Sequence, residues 1–368
     1  MLESVLKDAN IKKLFVLSYD SSPVVLDCLL DAVSKVGAKA FVCDIVSDEP
    51  DLTTIDCIVQ LLNENKSEAV LAFGGGSILD SAKAVAMIAR NGGSAKEYQM
   101  DGRAIILPTL PLIMIPTTAG TGSETNKTAV LRNPENHLKK SIHSPLMVAT
   151  TVILDPTVTL ALPANITAFT GIDALSHAIE SYVSTNSNYY TQMHSIKAIE
   201  LIGKSLTTAV NDGCNITARA DMLYASYFAG CALNAGIGLA HIIAQPVGGL
   251  YKVPHGEACS IYLPYSMEYN IECSTKEYCD IGRALGLKLE NNSIESAKIT
   301  IKKVKELIME VNTSTSLTPY LQRAGVELND IKLTETVQYI LNATGHIKCN
   351  PRPVDGDIIK EVLKLSLH

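Results

Sequence analysis

The stretch AVLAFGGGSILDSAKAVAMIAR (69–90) decides the fold. It opens with a continuous apolar run, the pattern of a strand buried on both faces. Gly74, Gly75 and Gly76 follow, and SILDSAKAVAMIAR then takes up helical spacing. A strand turning through glycines straight into a helix is the βα unit of a parallel sheet. Such a turn lets the backbone approach a pyrophosphate, and the first helical turn offers free N–H groups and a positive dipole end. Ser77 adds a hydroxyl. The motif is not GxGxxG, and an ordinary glycine turn has the same appearance.

Outward from this unit the same alternation repeats. LFVLS (14–18), KAFVC (39–43) and PLIMIP (111–116) are further short apolar runs. Between the first two, SSPVVLDCLLDAVSKVG (21–37) reads as a helix with Ser22 as cap, Pro23 in its first position and Gly37 as stop. The βαβα order predicts an α/β fold, a parallel sheet with helices on both faces. After Pro163 the texture becomes helical throughout, in stretches such as ARADMLYASYFAGCAL (218–233) and KKVKELIMEVN (302–312). The expectation is a nucleotide-binding α/β domain over 1–162 and an all-helical domain over 163–368. A site fed by both halves would lie in a cleft between domains.

The 368 residues suit two domains, and 47% hydrophobic with 19% charged residues suits a folded soluble chain. A net charge of -7, with no basic run longer than Lys139–Lys140, argues against nucleic-acid and anionic-membrane partners. The start, MLESVLKDANIKK, has no apolar signal region, and no run is long enough to span a membrane. Nine cysteines without a CxxC pair read as reduced thiols of a cytoplasmic protein, and as small buried apolar residues.

A second loop, PTTAGTGSE (116–124), follows the fourth strand and supplies hydroxyls from Thr117, Thr118, Thr121 and Ser123. Ligands of open α/β sheets bind at the carboxyl ends of strands, where this loop lies. Asp44 ends the second strand. An acid there can accept from a ribose 2′-OH and repel a 2′-phosphate, which favours NAD over NADP, although a strand-ending Asp that caps a turn has the same appearance. In the helical half, Asp173 and His177 in TGIDALSHAIESYVS (170–184) stand four apart on one helix face. By themselves they are a surface pair as readily as a site. His241 and His255, in GLAHIIAQPVGGLYKVPHGEA (238–258), change that balance, because both fall in apolar, glycine-rich surroundings. One carboxylate and three imidazoles form a mixed N/O set suited to Fe2+ or Zn2+. His137, His143, His194, His346 and His368 lie in polar or terminal contexts and receive no role.

These motifs, in this order, resemble the iron-dependent (group III) alcohol dehydrogenase family over nearly the whole chain, from about residue 10 to NPRPV (350–354). The resemblance implies a dehydroquinate synthase-like fold: a nucleotide-binding α/β domain followed by a helical metal-binding domain. It implies hydride transfer between NAD(H) and a small alcohol or aldehyde. Asp173, His177, His241 and His255 fall on the metal-ligand positions, with Fe2+ the usual metal and Zn2+ a competitor. Gly75, Gly76, Ser77, Thr117, Thr118 and Ser123 fall on the cofactor loops, Asp44 on the NAD-favouring acid and Lys139 on a cofactor-touching lysine. Asp80, Thr121, Asn126 and Thr128 join them as cofactor candidates. Gln245 stands where the family often has a second histidine, making it a substrate contact that cannot titrate. Ala232 replaces a common aromatic, which suggests a wider pocket. The N-terminal stretch is shorter than usual for the family by part of the first strand region. A homo-oligomer, most simply a dimer, is expected. Competing readings are a glycerol-type or other polyol dehydrogenase, and a nucleotide-binding scaffold that has lost catalysis. Four intact ligand positions weigh against both.

Overall fold

The computed structural model describes residues 1–19, 23–46, 50–135, 139–343 and 346–367. The chain forms two compact units. One comprises Met1–Thr118 with Ser123–Val158, and the other Ala119–Gly122 with Thr159–His368.

The first unit runs α1 (Leu2–Asp8), β1 (Lys13–Ser18), α2 (Pro23–Lys35), β2 (Lys39–Cys43), α3 (Leu52–Asn65), β3 (Ala69–Gly74), α4 (Gly76–Asn91), α5 (Ala95–Gln99), β4 (Leu112–Pro116), β5 (Thr128–Arg132), β6 (Lys139–His143) and β7 (Thr151–Val152). Five strands form a sheet in the order β2-β1-β3-β4-β7, every neighbouring pair parallel. The central strands β3 and β4 are buried at every residue, which is why they read as unbroken apolar runs. Their alternate residues divide between two layers. Phe15, Leu17, Val70, Ala72 and Met114 pack on α3 and α4 through Ile55, Ile58, Ile78 and Leu79. Leu14, Val16, Leu71, Phe73 and Ile113 pack on the other face against Leu6, Leu29 and Val33. Helices on both faces are therefore required, as the βαβα order predicts.

Three features depart from expectation or fall outside it. Strands β5 and β6 pair as an antiparallel hairpin that the apolar pattern does not announce. Residues of β5 alternate between buried and partly exposed, β6 buries only Ile142, and TAVLR and KKSIH carry too many polar groups to read as core strands. The two-residue β7 is too short to leave a pattern. Ser22, the expected cap of α2, lies outside the described residues, as do His137 and His368.

The second unit is helical: α6 (Ala164–Val183), α7 (Tyr189–Asn211), α8 (Ile216–Ala232), α9 (Leu239–Tyr251), α10 (His255–Asn270), α11 (Thr275–Ala284), α12 (Ile294–Glu310), α13 (Thr318–Ala324), α14 (Asp330–Ala343) and α15 (Gly356–Leu365). Helix α6 is buried all round from Gly171 to Val183, which makes it the axis of this unit. Its entry is fixed by Arg219, itself buried. The guanidinium donates to Thr167 Oγ1 at 2.6 Å, to the Leu162 carbonyl at 2.9 Å and to the Gly213 carbonyl at 2.9 Å. Among the described residues no single helix is long and apolar enough to cross a membrane.

The cysteines correct one expectation. Cys43, Cys231, Cys259 and Cys279 are buried, but Cys28, Cys57, Cys214 and Cys273 are exposed. Burial of a small side chain follows its place in the fold, not its residue type: Cys214 and Cys273 lie in turns, and Cys43 ends a strand of the sheet. Cys259 is buried among ionisable groups, so it is not a simple apolar filler either.

Candidate active site

The glycine turn lies at the centre of the parallel sheet. Gly75 precedes α4 in extended conformation and Gly76 opens the helix, so the first N–H groups of α4 face outward past the end of β3. In the order β2-β1-β3-β4, chain direction across the sheet reverses between β1 and β3, where doubly wound sheets take nucleotides. The turn is tied to the next loop by the Thr117 N–H, which donates to the Gly74 carbonyl at 3.0 Å. A Cβ on Gly75 would approach the Thr118 methyl to 3.2 Å. The structure thus brings Gly75, Gly76, Ser77, Thr117 and Thr118 to one edge. Asp44 follows β2 and is exposed, and Lys139 opens β6 and is partly buried. Thr121 lies in the segment that groups with the helical unit.

Asp80, Ser123, Asn126 and Thr128 converge on a residue that sequence reasoning overlooked. Lys83 is fully buried in α4. Its ammonium donates to the Ser123 carbonyl at 2.9 Å, to Asn126 Oδ1 at 3.0 Å and to the Thr128 carbonyl, and pairs with Asp80 Oδ1 at 3.2 Å. Asp80 in turn accepts from the Ser123 hydroxyl and from the Val130 N–H at 2.8 Å. Burial pushes the Lys83 ammonium down, against the pull of Asp80 and Glu124. These polar residues brace the hairpin and the second loop onto α4. The signal was a lone lysine inside an otherwise small and apolar helical stretch. Glu124, also missed, is buried with neither carboxylate oxygen hydrogen-bonded among the described residues. Burial pushes its acid up to about 7.

In the helical unit the structure gathers Asp173, His177, His241 and His255, from α6, α9 and the first residue of α10. Asp173 Oδ1 is their common neighbour. It lies 3.6 Å from His177 Nε2, 3.4 Å from His241 Nε2 and 3.5 Å from His255 Nε2. The i, i+4 spacing on α6 accounts for the first contact. Close backbone approach accounts for the last. A Cβ on Gly256 would fall 2.0 Å from the Phe169 carbonyl oxygen, so only glycine lets the first turn of α10 reach α6.

Two of the rings are locked. His177 Nδ1 faces the Gly120 carbonyl at 3.3 Å, and a carbonyl can only accept, so Nδ1 carries the proton. His241 Nδ1 donates to Glu180 Oε2 at 2.5 Å, and Glu180 Oε1 accepts from the Ala240 N–H at 2.7 Å. Both rings therefore offer Nε2 to the cluster, the arrangement of metal-bound histidines held by outer carboxylates or carbonyls. Glu180 was not expected. It stands seven residues after Asp173, on the same face of α6, and that spacing was its signal. Burial, together with repulsion from His241 and His255, holds His177 down to about 4 against the pull of Asp173, so it is neutral near pH 7. Burial would raise the Asp173 carboxyl, but His177, His255 and His241 outweigh it and hold the group ionised, well below the usual carboxylate range. Burial pulls His241 and His255 down, but Cys259 and Asp173 outweigh it and push both rings up, so a divalent metal, which binds a carboxylate and neutral imidazoles, would displace protons from these two. His255 has 44% of its side chain exposed, against 5% for Asp173 and 3% for His241, and so marks the open side of the cluster.

Gln245 stands one turn beyond His241 on α9 and is partly buried. Ala232 ends α8 fully buried. The cluster also contains a member absent from the sequence reading, Cys259. Its sulfur lies with the ligand atoms of Asp173, His241 and His255, all within 4.8 Å of one another.

Comparison with known proteins places this fold. Residues 1–156 match the family described as iron-containing alcohol dehydrogenase, and residues 167–367 match the C-terminal model of the Fe-containing alcohol dehydrogenase family. The chain is 41% identical over 270 residues to the probable alcohol dehydrogenase EutG of Escherichia coli (strain K12), covering 73% of this chain and 67% of that protein. It is 32% identical over 336 residues to the NAD-dependent methanol dehydrogenase of Bacillus methanolicus, covering 91% and 86%. A crystal structure of 1,3-propanediol oxidoreductase superposes with a TM-score of 0.92 at 29% identity, over 100% of this chain and 95% of that one. The chain belongs to the iron-containing alcohol dehydrogenase family. It is an alcohol/aldehyde oxidoreductase.

Proposed function

We propose that this enzyme transfers hydride between NAD(H) and a small alcohol or aldehyde at a divalent metal held by Asp173, His177, His241 and His255. The observation that carries the reading is the convergence of three imidazole Nε2 atoms, at 3.4 to 3.6 Å, on one oxygen of a buried carboxylate. Donors at bond lengths of about 2.0–2.3 Å around one ion stand roughly 3.3–3.6 Å apart, so the spacing fits a metal. Fe2+ is favoured by the family, and Zn2+ competes for the same donors. When bound, the metal supplies Lewis acidity toward the alcohol or carbonyl oxygen.

The chain's own residues do the rest. Glu180 and the Gly120 carbonyl fix two ring tautomers, so the site need not reorganise. Gly75, Gly76 and Ser77 at the start of α4 hold the pyrophosphate, with Thr117 and Thr118 beside them. Asp80, Ser123, Asn126 and Thr128 brace these loops through Lys83. Thr121 and Lys139 complete the cofactor set. Asp44 favours NAD over NADP through the ribose 2′-OH. Gln245 contacts substrate by hydrogen bonding, and its amide does not take up the substrate proton. We assign 1–162 to cofactor binding and 163–368 to the metal, and infer a homodimer, the commonest symmetric assembly.

Methanol and 1,3-propanediol, named for two relatives, make short primary alcohols and diols the first substrates to try. The test is a panel of these and their aldehydes, with anaerobically iron-loaded protein, followed by nicotinamide absorbance. We expect turnover with NADH at least about tenfold above NADPH in kcat/KM, and Asp44→Ala to narrow that ratio, since one lost hydrogen-bonded contact is worth about a factor of ten. Absence of turnover with every substrate and both cofactors would overturn the reading.

A further inference from the structure

We propose that Cys259 is a direct ligand of the metal, so that the centre is a mixed oxygen, nitrogen and sulfur site. This rests on the metal-centre reading above. Cys259 is fully buried on α10, four residues after His255 and therefore on the same helix face. Its sulfur lies 3.6 Å from Asp173 Oδ1, 3.5 Å from His241 Nε2 and 3.8 Å from His255 Nε2. Asp173 Oδ1 is 3.4 Å from His241 Nε2 and 3.5 Å from His255 Nε2. These five distances are five of the six edges of a tetrahedron with Asp173, His241, His255 and Cys259 at its corners.

For a metal bound to N and O at about 2.0–2.1 Å and to sulfur at about 2.3 Å, tetrahedral edges are roughly 3.3–3.6 Å. The observed tetrahedron is of that size and slightly open on the His255 side. His177 adds a further donor, 3.6 Å from Asp173 Oδ1 but outside the four-atom set. A thiol filling space in a core has one weak proton to donate and seeks apolar neighbours. This sulfur instead faces three ligand atoms at once, which a single S–H cannot serve. On binding, the S–H proton leaves to solvent and the sulfur–metal bond forms, with no change in oxidation state. A sulfur donor shifts preference toward Zn2+ and Co2+ and away from hard ions such as Mg2+ and Mn2+.

The test is loading the full chain with Co2+ in the absence of oxygen. Visible ligand-field bands count the bound cobalt. A stronger near-ultraviolet band reports charge transfer from thiolate to cobalt. Wild type should show both. Cys259→Ser and Cys259→Ala, with circular dichroism confirming that each is folded, should keep the visible bands and lose the near-ultraviolet one. Their Zn2+ affinity should fall by at least about tenfold. One bound cobalt without a charge-transfer band in wild type, or a band that survives in both variants, overturns the sulfur ligand and leaves the metal centre standing. Failure of wild type to bind cobalt at all overturns the metal centre, and the sulfur ligand with it.

Discussion

Glu124 is buried beside a buried lysine, with neither carboxylate oxygen hydrogen-bonded among the described residues. Its acid is lifted to about 7, whereas an unfolded glutamic acid titrates near about 4.3. Between those values the folded chain holds a proton that the unfolded chain has released. The associated stabilisation is complete below about pH 4.3 and is lost as pH rises through about 7. Glu124→Gln removes the ionisation while keeping the volume. Its stability should match wild type near pH 4 to 5 and exceed it by on the order of 3 kcal/mol near pH 8. Denaturant midpoints at the two pH values measure this. A wild type that holds its midpoint as well as the variant would show that the carboxylate is ionised at no cost.

At the scale of elements, the decisive contact is between the first turn of α10 and the backbone of α6. Gly256→Ala places a methyl 2.0 Å from the Phe169 carbonyl oxygen, and neither backbone can yield cheaply. We expect a loss of about 1–3 kcal/mol in stability and at least about tenfold in metal affinity, because His255 and Cys259 ride on the displaced helix. Metal titration followed by thermal unfolding tests both. Retention of wild-type affinity would show that α10 does not set the ligand geometry. This contact also marks how far the sequence can be read. The strands β1, β3 and β4 were legible because central parallel strands are apolar on both faces. The hairpin of β5 and β6 was not, because most of its residues are not buried and Arg132, Lys139 and Lys140 among them carry charge. His241 and His255 were legible from their apolar, glycine-rich surroundings. Cys259 was not, because a cysteine on a buried helix is ordinary until α10 is laid against α6, and that packing is a long-range property. Lys83 was hidden likewise, since Ser123, Asn126 and Thr128 lie forty or more residues away along the chain.

At the scale of the molecule, each unit has a core of its own. One is built on the two faces of the sheet and the other around α6. The ligand cluster belongs wholly to the helical unit. A metal that binds only the folded form adds about 2.7 kcal/mol when present at about a hundred times its dissociation constant. Calorimetry with and without Zn2+ should show a transition of the helical unit moving upward, and a chelator should reverse it. An unchanged thermogram would exclude tight metal binding. Within that unit, one ring is gripped from both ends by a single helix. His241 meets Asp173 with Nε2 and Glu180 with Nδ1, and the two carboxylates lie two turns apart on α6. An imidazole is a rigid ruler, so the helical phase between those carboxylates has no slack. One inserted or deleted residue between positions 173 and 180 turns the later carboxylate by about 100° and carries it off the ring. The length of this segment cannot drift by even one residue in any descendant that keeps both contacts to His241.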